Sequence, residues 1–332
     1  MRPRPNHPIG GIPVRPRVRL SLPSVLLVVA ALTAWAVPGS AAVAAWAVPG
    51  SAAAAARAHL TPPAAAQAIP SCDPAASSLR PAGPPRVTPG SFMDKIRDRG
   101  RLIAGVSEST YPFGFFNPLD GKPEGFDIDI VHAIAKAIFG NPNQVEFKAI
   151  SDDQRIPEAW SGGVDIVAHT MTINCLRLEK IDFSTVYFEA GAQVLVLKNS
   201  RVKRLQDLHG QKVCATLGSD SLGYIKAARA IPFPVTNFTD CLVRLQQGDV
   251  AGISTDNNIL AGLKAQDPWT KIVGPVFTSE PYGLAISKMH PEFVRFVNAV
   301  LQHMRADGQW AADYRHWVGA PVPAPPRARY KD

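Results

Sequence analysis

The chain has 332 residues, with 35 Lys and Arg against 27 Asp and Glu and a formal net charge of +8. A basic balance of that size suggests nucleic acid or an acidic membrane surface as a partner, but the excess sits at the two ends. Arg2, Arg4, Arg15, Arg17, Arg19 and Arg57 precede the first acidic residue, Asp73, and in the tail Arg327, Arg329 and Lys331 face only Asp332. Between them acids and bases cancel. That sets nucleic acid aside and leaves a neutral body long enough for two small domains or one large one.

Arg15, Arg17 and Arg19 lead into the apolar run Ser24–Val37, and small residues follow at 38–42. Basic region, apolar stretch and small-residue site in that order form a secretory signal. The other reading is a membrane anchor, which needs about 18 or more continuous apolar residues, and Ser21, Pro23 and Ser24 shorten the run. Residues 1–56 are therefore read as a signal peptide or N-terminal anchor with an Ala-rich, low-complexity stretch. The duplication AWAVPGSAAVA (34–44) and AWAVPGSAAAA (45–55) is too short to stack into a repeat fold. Either reading puts the body outside the cytoplasm, in the cell envelope, tethered if the segment is retained.

Cys72, Cys175, Cys214 and Cys241 have no zinc spacing, and an even count in an exported chain favours two disulfides with three possible connectivities. We pair Cys214 with Cys241, which leaves Cys72 for Cys175. Lipidation is the competing use of Cys72, but the residue lies far beyond the apolar run and Pro70 breaks the usual local pattern. A Pro/Ala-rich linker at 57–96 and a Pro-rich basic tail at 319–332 are expected to be extended or unfolded. The tail is left as a contact for an acidic membrane surface or partner.

In the body, a short helix is predicted over Ser91–Asp98 and a buried strand over Arg101–Val106, opening into a loop with Pro112 and Gly114. Ile130, Val131, Ile134, Ala135 and Ile138 have helical spacing, and Gly140 stops that helix. Val145–Ile150 reads as strand, Arg155–Trp160 as helix and Val164–Ala168 as strand. The alternation continues with strands at Lys212–Ala215, Val235–Phe238, Gly252–Ser254 and Tyr282–Ile286. Helices fall at Ser219–Ala230, Thr239–Gln247, Ile259–Ala265 and Glu292–Asp307. Strands separated by helix-length segments indicate α/β architecture with mostly parallel sheets, and the two halves echo each other.

No phosphate-cradling loop, nucleophile elbow or metal-spaced cluster is present, and the eight His are scattered. No cofactor or metal is expected. Polar groups do follow strands, where open α/β sheets place ligands. Thr172 and Arg177, after the strand ending at Ala168, suit a carboxylate; the alternative is a helix cap and a solvated Arg. Leu217-Gly218-Ser219-Asp220-Ser221 opens a helix whose N–H groups attract anions, or is an ordinary cap. Asp256 suits an ammonium, or caps the helix after it.

Taken together, GFDIDI (125–130), TMTINCLRLEKIDFSTVYF (170–188), VCATLGSDSL (213–222), STDNNIL (254–260) and YGLAISK (282–288) resemble the bacterial extracellular solute-binding proteins for polar amino acids. The resemblance runs from about Asp98 to Val318 and looks closest to the glutamine/glutamate-binding members of actinobacteria. It implies a type II periplasmic-binding-protein fold: two α/β lobes joined by two crossing strands, with the ligand cleft between them. Lobe one would hold 97–187 and 285–318, and lobe two 191–280. Arg177 would grip the α-carboxylate with Thr172 and Ser219, and Asp256 would accept the α-ammonium with the backbone near Thr170. Ser107, Thr110, Asp152 and His169 fall where relatives contact the ligand side chain. His169 suits a γ-carboxylate or amide, whereas Asp152 would repel a carboxylate. Glutamate, glutamine, aspartate and asparagine all stay open, and so does a basic amino acid.

The implied function is a non-catalytic, monomeric receptor delivering a polar amino acid to an ABC importer or a membrane sensor. The runner-up is an enzyme on the same fold, dehydratase-like or attached to a cell-wall lytic module. Glu108 and His169 are its only candidate acid or base groups, and only a short tail follows Val318.

Overall fold

The computed structural model describes residues 72–332; the signal or anchor at 1–56 and the linker up to residue 71 lie outside the described residues. The described residues carry two five-stranded sheets, one per lobe. In lobe one the order is Val145–Ala149, Leu102–Val106, Ile166–Ala168, Ala285–Ile286, Asp182–Phe183. In lobe two it is Ile231–Val235, Lys212–Thr216, Gly252–Asp256, Ala192–Leu197, Thr270–Val273.

The expectation of mostly parallel sheets needs correction. The first three strands of each order run parallel, but Ala285–Ile286 and Ala192–Leu197 are antiparallel to both their neighbours. Chain connectivity explains this. Phe188–Ala190 and Glu280–Tyr282 cross between the lobes as an antiparallel pair. Each then runs on into the sheet it enters from the opposite direction, so each crossing strand supplies the reversed strand of the lobe it reaches.

Alternation along the strands fills both faces of each sheet. In lobe one Ala104, Val106, Ile166 and Ala168 pack under the helices Phe126–Phe139 and Pro291–Ala306. Val167 and Ala285 face the other way, onto Ile150, Ala159 and Phe183. Phe126–Phe139 begins earlier than its apolar periodicity implied: Asp127 and Asp129 occupy the first turn, where the helix dipole favours acids. Gly140 closes it in the left-handed conformation. In lobe two the strand expected at Val235–Phe238 lies instead at Ile231–Val235, and Phe238 opens the next helix. Pro232 and Pro234 hid it. They are tolerated because this is an edge strand, where a missing N–H costs no ladder bond. A further helix, Gln309–Trp317, follows Gly308.

Both ends of the described chain are extended, but neither is loose. Ser78 is buried and pairs with Tyr330, donates to the Phe183 carbonyl at 2.7 Å and receives Asn298 Nδ2 at 2.7 Å. Asp332 meets Arg295 at 2.7 Å, Arg329 meets Asp73 at 2.6 Å and Lys331 lies 3.6 Å from Asp182. Two of the three basic residues that gave the tail its charge are therefore engaged by the protein's own carboxylates. The disulfides join Cys72 to Cys175 and Cys214 to Cys241, the pairing expected. One ties the N-terminal strap to the turn carrying Arg177; the other ties a lobe-two strand to the helix packed on it.

Candidate functional site between the lobes

Strands of both sheets end at a cavity lined by Asp152, Arg155, Thr170, Thr172 and Arg177 from lobe one and by Ser219, Asp220, Thr255 and Asp256 from lobe two. Glu280, on a crossing strand, completes it. Its free volume is about 20 Å³, room for roughly one water molecule, so an amino acid fits there only if the lobes part.

The local alternatives left open by the sequence are resolved by capping. Asn174, not Thr172, caps the Cys175–Leu178 turn, accepting the N–H of Arg177 at 2.9 Å. Arg177 is not solvated: it is 6% exposed, donating to the Thr172 carbonyl at 2.7 Å and pairing with Asp220 at 3.0 Å. Asp220 and Asp256 both stand at helix N-cap positions, yet neither side chain makes a capping bond. The Asp256 carboxylate instead accepts the Tyr282 hydroxyl. Both carboxylates therefore line the cleft, Asp220 engaged by Arg177 and by the Asn174 side-chain amide at 3.2 Å.

Charge is divided unevenly there. Arg177 already faces Asp220, the position an incoming carboxylate would contest. Burial and the nearby Arg155 push its pKa down, partly offset by Asp220, Asp152 and Glu280. The buried hydroxyl of Ser219 has no hydrogen-bond partner among the described residues, leaving a donor next to Asp220 on the cavity wall. Asp256 is 8% exposed and has no ion-pair partner among the described residues. Burial raises its pKa to about 7, helped by Glu280 and Asp220 and opposed by the Tyr282 hydrogen bond and Arg155. A buried carboxylate held that high is one whose ionised form lacks a cation. An ammonium would supply it.

The sequence reading did not identify Arg155. It is 3% exposed, pairs with Asp152 at 3.0 Å, and donates to the carbonyls of His169 at 3.1 Å and Gly218 at 3.3 Å. Burial would raise the Asp152 pKa, but Arg155, His169, the Thr216 hydroxyl and Arg177 together hold it below its ordinary value. The spacing Asp152-x-x-Arg155 at a helix start was the missed signal. Asp127 was also missed. Its carboxylate takes the N–H of Thr170 at 2.9 Å and the hydroxyl of Tyr187 at 2.7 Å. Thr170 has a φ of 41°, a costly conformation for a β-branched residue, so Asp127 braces the backbone facing the cavity. Burial raises the pKa of Asp127 to about 7 against those two hydrogen bonds.

Other expected contacts are not brought to the cavity wall. Ser107 and Thr110 hydrogen-bond each other at 2.8 Å and do not line it. His169 lies behind Asp152, with Nε2 on the Ile150 carbonyl at 3.0 Å. Burial lowers its pKa, with Asp152 raising it in opposition. Glu108 is exposed. Neither candidate acid or base of the enzyme reading reaches the cavity.

The lobes meet through backbone. A Cβ on Gly218 would sit 2.6 Å from the Asp153 Cα, and one on Gly262 would sit 1.8 Å from the Tyr111 carbonyl oxygen. Gly218 also has a φ of +79°. Glycine at these two positions lets the lobes approach, and the Gly218 carbonyl then accepts both Arg155 and Arg177, the latter at 3.1 Å.

Residues 102–320 match the model of the bacterial extracellular solute-binding proteins, family 3. The ABC transporter glutamine-binding protein GlnH of Bacillus subtilis is 38% identical over 226 residues, covering 67% of this chain and 83% of that protein. The L-glutamate/L-aspartate-binding protein of Pseudomonas aeruginosa is 28% identical over 244 residues, covering 70% and 81%. Among solved structures, an ancestral arginine-binding protein bound to glutamine matches with a TM-score of 0.63 and 40% identity, covering 67% of this chain and 99% of that one. Holo ArgBP from T. maritima matches with a TM-score of 0.60 and 29% identity, covering 64% and 93%. Family members are binding proteins and not enzymes, the fold is the type II periplasmic-binding-protein fold, and the chain belongs to the bacterial extracellular solute-binding proteins, family 3.

Proposed function

We propose that this chain is an extracytoplasmic receptor that captures a polar α-amino acid of the glutamine, glutamate, asparagine and aspartate class between its lobes. The observation that carries the reading is a pair of opposite buried charges in one cavity. Arg177 stands on lobe one and Asp256 on lobe two, the complement of a zwitterion whose charges must both be matched when water leaves. Arg177, with Thr172 and the unpartnered hydroxyl of Ser219, takes the α-carboxylate, displacing Asp220. Asp256 takes the ammonium, with the backbone at Thr170 as a second acceptor. Reading of the side chain falls to Asp152, Arg155 and Glu280, which line the same cavity.

The Bacillus subtilis relative named as an ABC transporter component supports an importer as the destination. The protein acts as a monomer that docks on a membrane permease, tethered if its N-terminal segment is retained. Thermal-shift titration of the full chain against the twenty amino acids tests the reading. One or a few members of the class raise the melting temperature, because a ligand that binds only the native state stabilises it by mass action. No shift with any of them contradicts the proposal.

A further inference from the structure

The cavity between the lobes carries an unbalanced charge. Four carboxylates line it, Asp152, Asp220, Asp256 and Glu280, against two guanidinium groups, Arg155 and Arg177. Asp152 pairs with Arg155 and Asp220 with Arg177. Asp256 and Glu280 have no ion-pair partner among the described residues. Glu280 is 2% exposed, and its Oε1 accepts the Tyr224 hydroxyl at 2.8 Å, a bond that brings no positive charge.

Arg155 is not a free cation either. Its Nε donates to the Asp152 carbonyl at 2.9 Å, and its Nη1 reaches the His169 carbonyl at 3.1 Å and the Asp152 carboxylate at 3.0 Å. Its Nη2 donates to the Gly218 carbonyl at 3.3 Å. All three nitrogens are engaged, and three of these four acceptors belong to lobe one itself, so they stay in place when the lobes part. Arg177 is the cation whose carboxylate partner lies on the opposite lobe, and the ligand's α-carboxylate claims it. A second carboxylate on the ligand would enter a cavity with no cation left to meet it.

A zwitterion leaves the imbalance as it finds it, because its own two charges cancel. A side-chain carboxylate deepens it in a closed space where neither water nor salt screens the repulsion, whereas N–H donors relieve it. Resting on the receptor reading above, we infer that the cleft selects an α-amino acid whose side chain ends in N–H donors and bears no negative charge, and that Glu280 sets this choice. The other three acids are answered. Arg155 holds Asp152, the ammonium goes to Asp256, and Asp220, with its side chain 30% exposed, can turn to water when the α-carboxylate displaces it. Glu280 is buried on a crossing strand and has neither outlet. It works by repelling the wrong ligand as much as by holding the right one.

The test is calorimetric titration of the full chain with ligands matched in shape and differing in charge: glutamine against glutamate, asparagine against aspartate, and arginine against citrulline. In at least one of the first two pairs the amide should bind about 100-fold or more tighter than the acid, or arginine and citrulline should bind while both acids fail. Arginine ahead of citrulline identifies a cationic side chain as the N–H donor, and the amides ahead of both identify a neutral one. Glu280→Gln keeps the shape and the acceptor for Tyr224 while removing the charge. It should narrow the preference over the acid by about tenfold, through tighter binding of glutamate or aspartate, a gain that damage to the fold does not produce. Wild-type binding of glutamate or aspartate as tight as that of its amide overturns the inference while leaving the receptor reading intact. An unchanged preference in Glu280→Gln overturns the assignment to Glu280. Binding of none of the six overturns the receptor reading and this inference with it.

Discussion

Lobe one brings two guanidinium groups to the cleft, Arg155 and Arg177, whereas lobe two brings the carboxylates Asp220 and Asp256 and the carbonyl of Gly218. The two sheets share one strand order with the reversed strand at the same place, so this difference comes from the loops after the strands and not from the framework. Within lobe one, Asp152 already answers Arg155. Arg177 finds its partner Asp220 only across the cleft, and Asp256 finds no cation among the described residues. A buried charge without a partner is expensive. Under the proposed function, dividing the complementary charges between lobes couples ligand capture to closure: each lobe alone exposes a charge to water, and the pair closed around a zwitterion answers both.

Removing one side of that division should have the largest effect. Arg177→Ala should weaken amino-acid binding by roughly 30- to 5,000-fold, the ~2–5 kcal/mol typical of truncating one partner of a buried, hydrogen-bonded charge pair. Asp256→Asn should fall in the same range. Calorimetric titration reads both, and wild-type affinity in either variant breaks the comparison.

Obstructing the approach of the lobes comes next. Gly262→Ala places a methyl against the Tyr111 carbonyl oxygen, which is backbone and cannot swing aside. Affinity should drop about tenfold, the cost of a clash of order 1–3 kcal/mol, while each lobe keeps its melting behaviour. Scattering from the ligand-saturated variant should report a larger radius than wild type; an unchanged radius and affinity would place the lobe contact elsewhere.

The third test is titration. The Asp256 pKa stands at about 7 in the closed structure, chiefly through burial, and a ligand ammonium favours its ionised form. Affinity should therefore be full above pH 7 and fall by up to about tenfold per pH unit below it, as a proton must leave for the ligand to bind. Stability without ligand runs the other way. A carboxyl raised in the folded state contributes fully below its unfolded pKa, and that contribution is lost as pH rises through 7. Asp256→Asn should thus melt a few degrees (~2–4 °C) higher than wild type at pH 8 while binding worse. A lower melting temperature would mean that Asp256 has a cationic partner after all.

The smallest expected effect on binding separates framework from site. Replacing Cys72 and Cys175 together by Ser should cost about 2–4 kcal/mol of stability. Affinity should hold, because Arg177 is positioned by Asn174 and Thr172 and not by the disulfide.

Much of this was legible in the sequence because it is local. Apolar spacing marked a helix at Ile130–Phe139, which starts four residues earlier at Phe126, and one at Glu292–Asp307, within a residue of Pro291–Ala306 at each end. Strand-end polar residues marked Arg177 and Asp256, both on the cavity wall. What escaped depended on distant chain. Pro232 and Pro234 looked incompatible with a strand until the edge position of that strand was known. Nothing local marks Glu280, buried on a crossing strand, as a cavity residue. Ser107 and Thr110 kept the expected place in the chain but turned toward each other. The ends, Pro-rich and charged, read as loose because their partners Asn298, Arg295 and Asp182 lie far away in sequence.

The central claim is that Arg177 reads the α-carboxylate and Asp256 the α-ammonium, and chemical deletion of each ligand charge tests it most directly. The amino acid selected by the panel is titrated calorimetrically as itself, as its α-amide and as its N-acetyl derivative, against wild type, Arg177→Ala and Asp256→Asn. Wild type should reject both derivatives, Arg177→Ala should no longer distinguish the amide from the free amino acid, and Asp256→Asn should no longer distinguish the N-acetyl form. Equal wild-type affinity for all three ligands, or a swap of which variant loses which discrimination, would contradict the account.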